Sequence, residues 1–578
     1  MATIIDLSAL GSAGFVMEGE LEFDGAGFSV SSAGDVNGDG IEDIIVGTQA
    51  ADTGGYNSGA AYVLYGKTSP FAARIDLGAL SSADGFVIRG DAVHDKAGFS
   101  VSSAGDLNND GVDDLIVGAP QNSLGVGATG AGKAYVIFGT TGERATIDLG
   151  GGDAADEFIV IGGDETSDSL GFSVSDAGDF NGDGFDDIVI GARYADTTFD
   201  DAGKAYVIFG HGGAFADIPD LGALPVGAGM VLQGEKQSDD AGYSVSSAGD
   251  VNGDGIDDLL VGAIRTDYGD PVTEPFLGSA YVVFGKTSPS AAVTLADMTA
   301  ADGFAIRGEP YDQIGSAVSS AGDINGDGFD DIIVGSHIAD DGGTFNPSFS
   351  YGIGAAYVLF GKASGFGTVP PGGDTPEIDL GDPIAPADGF AIVGGDEQDS
   401  AGISVSSAGD FNGDGFDDII LGAVGAEQAG GNSPGEAYLI FGKAGGFGTI
   451  DLGNLLPAQG FIIQGDEDQD RIGRSVSSAD VDGDGFTDII VGGPQADVYD
   501  AGVQVLHGDA GEAYVIYGRA PTTAVTRTGS AGDQTIRGGA FDDDLFGLGG
   551  ADRLIGSGGH DRLDGGAGID RMFGGTGN

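Results

Sequence analysis

The chain has 578 residues with no cysteine, and 91 acidic against 22 basic side chains give a formal charge of −69. A surface this acidic repels the phosphates of nucleic acid and the headgroups of anionic membranes, which excludes partners of both kinds and favours cations. Hydrophobic residues still make up 41% and fall in short periodic runs, so a core is affordable and disorder is disfavoured.

The opening residues, MATIIDLSAL, have no basic segment and no long apolar stretch, so no secretory signal peptide is expected there. No run of ~18 apolar residues follows anywhere, so no membrane span is expected. The first strand-like run is GFVMEG, Gly14 to Gly19. A unit of four runs comes next. Run A is AGFSVSSAG (Ala26 to Gly34), B is DIIVG (Asp43 to Gly47), C is AAYVLYG (Ala60 to Gly66) and D is GFVIRG (Gly85 to Gly90). All are short, rich in Val, Ile, Tyr and Phe, and bounded by Gly, Asp, Asn or Ser, as strands are. No segment shows a helical period.

An acidic loop joins A to B. Its first aspartate recurs at 35, 106, 179, 250, 323, 410 and 480, at spacings of 71, 73, 71, 73, 87 and 70. Seven four-stranded units predict an all-β fold, a seven-bladed β-propeller rather than a linear solenoid. The seventh unit ends with its C run, AYVIYG (Ala513 to Gly518), and no D run follows. Gly14 to Gly19 is therefore predicted to complete the last blade, so that an N-terminal strand closes the ring. The predicted division is a propeller over 1–519, a linker over 520–528 and a short parallel β-roll over 529–578.

In the first loop, DVNGDGIED, side-chain oxygens fall at positions 1, 3, 5 and 9: Asp35, Asn37, Asp39 and Asp43. Gly at position 6 permits a sharp turn, and the carbonyl of Ile41 at position 7 is read as pointing inward. The equivalent sets are Asp106, Asn108, Asp110, Val112 and Asp114; Asp179, Asn181, Asp183, Phe185 and Asp187; and Asp250, Asn252, Asp254, Ile256 and Asp258. They continue with Asp323, Asn325, Asp327, Phe329 and Asp331; Asp410, Asn412, Asp414, Phe416 and Asp418; and Asp480, Asp482, Asp484, Phe486 and Asp488. Hard oxygen donors in a tight, flexible loop suit Ca²⁺ better than Mg²⁺, and Zn²⁺ would want His or Cys. The loop is not an EF-hand, because position 12 is Val46 inside run B. The plainer alternative is that the DG and NG pairs make hairpin turns. Without an ion the carboxylates repel one another; with one, the end of A is tied to the start of B. Asn109 at position 4 and Thr487 at position 8 depart from the pattern, but neither is a predicted ligand, and all seven loops are expected to bind.

With the GF of run A and Gly118-Ala119-Pro120 after the second B run, the unit resembles the FG-GAP repeat of integrin α-subunits over about residues 1–519. The resemblance implies a seven-bladed propeller with calcium in the A–B hairpins on the lower face and partners on the opposite face. The B–C connections, placed on that opposite face, carry Tyr56, Tyr194, Phe199, Tyr268, Phe276, Phe345, Phe349, Tyr351 and Tyr499, and the longest runs from His337 to Gly354. Long loops on a rigid scaffold tend to carry function, so a protein or glycan ligand is expected there, with solvated loop filler as the alternative.

After APTTAVTRT the period becomes nine, in frames GSAGDQTIR, GGAFDDDLF, GLGGADRLI, GSGGHDRLD and GGAGIDRMF. These resemble the RTX, or haemolysin-type, nonapeptide. The resemblance implies a parallel β-roll with calcium held by Asp543, Asp552, Asp561, Asp570 and turn carbonyls. Ile536, Leu545, Leu554, Leu563 and Met572 would stack inside. Gln534 holds the sixth position of the first frame and Asp533 falls one place early, so that frame is expected to be a capping turn with weak metal binding. A flexible Gly-rich linker is the alternative. The sequence stops in mid-repeat at GGTGN, as expected of a fragment or a shortened array. RTX proteins leave the cell by a type I route, but no C-terminal signal is visible.

Histidines 94, 211, 337, 507 and 560 are scattered, and no GxSxG, HExxH or P-loop occurs, so no enzymatic activity is expected. Arg89-Gly90-Asp91 reads as a repeat position, matched later by Arg307-Gly308-Glu309. Together these features point to a secreted bacterial calcium-binding protein acting as an adhesion or recognition module. A structural surface-layer or matrix component is the alternative, and an enzyme with an unrecognised site is the third.

Overall fold

The computed structural model describes residues 3–120, 130–151, 157–266, 277–309, 312–339, 352–370, 373, 375–428, 431–500, 505–530, 532 and 534–576. Seven antiparallel sheets form the blades of a propeller, each with the strand order A-B-C-D. In blade 1 these are Ser29–Gly34, Asp43–Thr48, Ala60–Leu64 and Gly85–Arg89. Every residue of the B strand is buried, as a continuous apolar run between two neighbours requires, while A alternates between buried and half-buried. The core lies between blades: Ile45, Val63, Tyr65 and Phe86 of blade 1 pack against Leu115, Val117 and Tyr135 of blade 2.

Six of the seven sheets have a fifth strand, which the sequence reading did not anticipate. In five of the six, the connection from C to D of the next unit around the ring contributes this short parallel strand to the blade's outer edge; in blade 6 it is the N-terminal Thr3–Asp6. Ile147–Asp148, from the second unit, pairs with Gly85–Arg89 of the first. In blade 2 this strand shrinks to a single bridge, Ile161 to Ile218. Four such connections, and the N-terminal segment after Thr3–Asp6, continue into one turn of 3₁₀-helix, as at Leu77–Ala79, where Asp76 caps the turn by accepting from Gly78 N.

The ring closes as expected: Gly14–Glu18 lies antiparallel to Glu512–Ile516 as the D strand of blade 7. Thr3–Asp6 adds a second closure, running parallel to Gly460–Gln464 of blade 6. The A strands surround the axis. Phe28, Phe99, Phe172 and Tyr243 follow one another around it at centroid distances of 5.1, 4.9 and 5.1 Å, and the Arg474 guanidinium lies 4.6 Å over Phe28.

The tail is a roll of two three-stranded parallel sheets. One contains Thr526–Thr528, Asp544–Phe546 and Arg562–Asp564, the other Thr535–Arg537, Arg553–Ile555 and Arg571–Phe573. Thr526–Thr528 thus belongs to the roll, although it lies in the segment read as linker. Ile536, Leu545 and Leu554 are fully buried and Leu563 is half-buried. Met572, expected inside, is 54% exposed because no further described turn stacks on the last one. No helix among the described residues is long and apolar enough to cross a membrane.

Candidate metal centres

Each A–B hairpin is shaped by its own carboxylates. In blade 4, Asp250 accepts from the amides of Asp254 (3.0 Å) and Gly255 (2.8 Å), and Asp254 accepts from Ile256 N (3.1 Å). The other six loops repeat this pattern, with Asp35, Asp106, Asp179, Asp323, Asp410 and Asp480 at position 1. The position-7 amides of Ile41, Val112, Phe185, Phe329, Phe416 and Phe486 donate to Asp39, Asp110, Asp183, Asp327, Asp414 and Asp484. Gly40, at position 6, has φ +87°, a conformation that side chains rarely adopt, so glycine is needed there.

The position-9 aspartates are the innermost. Asp43, Asp114, Asp187, Asp258, Asp331, Asp418 and Asp488 are all fully buried at the start of their B strands. One oxygen of each accepts the amide that follows the C strand, at 2.7–2.9 Å, from Gly66 in blade 1 through Gly518 in blade 7. Asn37, Asn181, Asn252, Asn325 and Asn412 donate to these carboxylates from position 3. Burial raises the carboxyl pKa, and the other aspartates of the same loop raise it further. Asp114 is pushed up to about 7, Asp43, Asp187, Asp258 and Asp488 to about 8, and Asp331 to about 9. Asp418 is raised well above the usual carboxylate range.

The residues therefore fit a hard divalent cation. Asn108 Oδ1 and Asp114 Oδ2 are buried without a hydrogen-bond partner. In the seventh loop, where Asp482 replaces asparagine, Asp480, Asp482 and Asp488 bring ligand atoms within 4.8 Å of one another. A bound ion would supply the positive charge that these oxygens lack.

The position-8 acid, set aside in the sequence reading, has a different task. Asp113 accepts Asp35 N (2.7 Å) in the preceding blade, and Asp186, Asp257, Asp330 and Asp417 do the same for Asp106, Asp179, Asp250 and Asp323. Glu42 of blade 1 completes the ring by accepting Asp480 N (2.9 Å). The clue was the recurrence of an acid there in six of seven copies, interrupted only by Thr487.

In the roll, Asp543, Asp552, Asp561 and Asp570 use Oδ1 to accept the amides of Val525, Gln534, Asp543 and Asp552, each 18 residues earlier (2.8–3.1 Å). Their Oδ2 atoms lie over the first glycine of each frame. A Cβ on Gly538, Gly547, Gly556 or Gly565 would come within 2.1–2.5 Å of that oxygen, so only glycine leaves room. Asp561 Oδ2 is buried without a partner. This cradle again fits a cation. Gln534 instead turns its amide toward the propeller, donating to Gly415 O at 3.2 Å.

On the opposite face Tyr56 is 63% exposed, with His94 edge-on at 5.3 Å, Phe199 is also exposed, and the Arg193 guanidinium stacks on Tyr194 at 4.1 Å. Tyr268, Phe276, Phe345, Phe349, Tyr351 and the Tyr499 side chain lie outside the described residues. Asp91 of the Arg-Gly-Asp tripeptide pairs with Lys133, and Arg307 is buried against Glu235 and Glu377.

Seven stretches match the FG-GAP repeat: residues 26–64, 97–137, 172–208, 241–283, 315–359, 401–440 and 472–516. The chain belongs to the FG-GAP repeat family. This FG-GAP protein also matches the RTX calcium-binding nonapeptide repeat over 528–563 and 555–578, and is thus an integrin-like, calcium-binding protein. Integrin alpha pat-2 of Caenorhabditis elegans is 29% identical over 47% of this chain and 20% of its own length. Integrin alpha-7 of Mus musculus is 34% identical over 31% of this chain and 13% of its own. Phosphatidylinositol-glycan-specific phospholipase D of Bos taurus is 27% identical over 39% of this chain and 22% of its own. The chain therefore spans about a fifth or less of these curated relatives.

Proposed function

We propose that this FG-GAP protein is a secreted, calcium-stabilised adhesion or recognition module without catalytic activity. Calcium sits in the propeller loops and between the turns of the roll, and the B–C face presents the surface that meets a protein or glycan. The observation that carries the calcium part is the fully buried carboxylate at position 9 of every loop, set beside the other aspartates of the same loop, whose shared charge a cation would balance. Integrin relatives and a rigid scaffold bearing exposed aromatics support the adhesion part.

Calcium titration of EDTA-treated protein, followed by circular dichroism and melting temperature, tests the first part. A large rise in melting temperature, reversed by chelation, is expected; an unchanged melt would overturn the calcium reading. A glycan and protein array with calcium-loaded protein tests the second: specific binding, reduced by Tyr56→Ala or Phe199→Ala, is expected. An array without any hit would favour the matrix-component reading.

A further inference from the structure

The roll is seated over the fifth to seventh metal loops, and its hydrogen bonds centre on the sixth. Arg527 Nη2 donates to Asn412 O at 2.7 Å, Arg537 N to Gly413 O at 3.0 Å and Gln534 Nε2 to Gly415 O at 3.2 Å. These carbonyls belong to positions 3, 4 and 6 of the sixth loop. The cover is local. The position-5 aspartates Asp39, Asp110, Asp183, Asp254, Asp327 and Asp484 are exposed, whereas Asp414 is half-buried and Gly413 beside it is buried. Otherwise the loop is formed like the rest, with Asp410 accepting from Asp414 N (2.8 Å) and Gly415 N (2.9 Å).

Arg527 also brings charge. Its guanidinium faces Asp410, Asp414 and Asp418 on the ring and Asp543 on the roll. Its Nη1 is buried without a hydrogen-bond partner, near the place a Cβ on Gly413 would take (3.1 Å). A second arginine of the roll, Arg537, lies at the seventh loop, its guanidinium 5.6 Å over Phe486 and beside Gly485, but it is Arg527 whose charge acts on the ligand carboxylates of its loop.

We propose that Arg527 stands in for calcium in the sixth loop: with the roll docked, that loop is neutralised by a guanidinium, takes no ion and serves as the roll's seat. The proposal rests on the reading that the loops bind calcium. A divalent ion beside a half-buried guanidinium would be repelled with little screening by salt, and the roll closes the route by which it would enter. The effect is reciprocal: an ion forced into the sixth loop drives Arg527 out and loosens the roll by the same factor. The ring then holds calcium in six loops, and the sixth binds it at least tenfold more weakly.

The test is anomalous diffraction from full-length crystals in millimolar CaCl₂, with calcium counted by equilibrium dialysis. Six loops are expected to show calcium peaks, with none between Asp410 and Asp418. Arg527→Gln is expected to gain that peak and raise the count by one. Seven peaks in the wild type, or no gain in Arg527→Gln, overturn the proposal while leaving the calcium reading intact. Peaks in none of the loops overturn the calcium reading itself. Asp414→Asn provides a check that leaves Arg527 in place: it should keep the wild-type count, while Asp254→Asn in the fourth loop loses one ion. Loss of an ion from Asp414→Asn overturns the proposal.

Discussion

At the scale of single residues, two aspartates side by side in sequence do different work. Asp258 belongs to its own loop and holds Gly285 N at 2.9 Å, whereas Asp257 reaches across to Asp179 N of the blade before. Asp257→Ala should cost about 1–3 kcal/mol, the penalty for leaving a part-buried amide without its acceptor, and should leave calcium stoichiometry unchanged. Asp258→Ala should cost at least as much and also remove one ion, so paired melts and calcium counts separate the roles. The ligand pattern at positions 1, 3, 5 and 9 was legible because its spacing is chemical. The task of position 8 was not, because the partner lies about 80 residues away and only the closed ring brings it near. A second set of acids, in the turns from D to A, supplies a pH dependence. Burial raises Asp24, Asp168 and Asp399 to about 6 and Asp239 and Asp470 to about 7. Folded pKa values above the unfolded ones mean that the native state binds more protons, so stability falls as pH rises from about 4 to about 7. In EDTA, the melting temperature should drop by more than about 5 °C between pH 5 and pH 7.5.

At the scale of elements, A to D were readable from alternation and bounding turn residues, and so was the N-terminal D strand, because the seventh unit lacked one. The fifth strand is not legible in the sequence, being only two to four residues long with no strong apolar period. Its trace was the recurring Ile-Asp-Leu, as at Ile75-Asp76-Leu77 and Ile147-Asp148-Leu149. Thr526–Thr528 was read as linker for a similar reason: its frame lacks the glycines of the nonapeptide, and its partner, Asp544–Phe546, lies 18 residues on. Removing residues 3–19 should open two edges at once, on blades 6 and 7, since Thr3–Asp6 and Gly14–Glu18 are both lost. Exposed edges pair with other chains, so size-exclusion chromatography of the truncated protein should show aggregates where the full chain runs as one discrete species.

At the scale of the whole molecule, a formal charge of −69 opposes compaction, and bound calcium relieves part of it. Sodium chloride should therefore raise the melting temperature of the EDTA-treated protein more than that of the calcium-loaded protein, because screening and ion binding relieve the same repulsion. Equal salt responses in the two states would show that the loops do not carry the repulsion.

Ring closure by the first strand also governs how the molecule can be made. Glu512–Ile516 is among the last parts of the propeller to leave the ribosome, yet its partner, Gly14–Glu18, is among the first. Phe15 and Met17 find blade 1 early, but Val16 must wait through nearly all of translation for Ile489, Tyr514 and Ile516, which bury it. Six blades can stack as they emerge, the sixth taking up Thr3–Asp6 from the start of the chain, but the seventh cannot be finished until synthesis reaches the last C strand. A stalled or truncated nascent chain would therefore be an open arc, and closure is a late, single event with the sequence separation that makes folding slow.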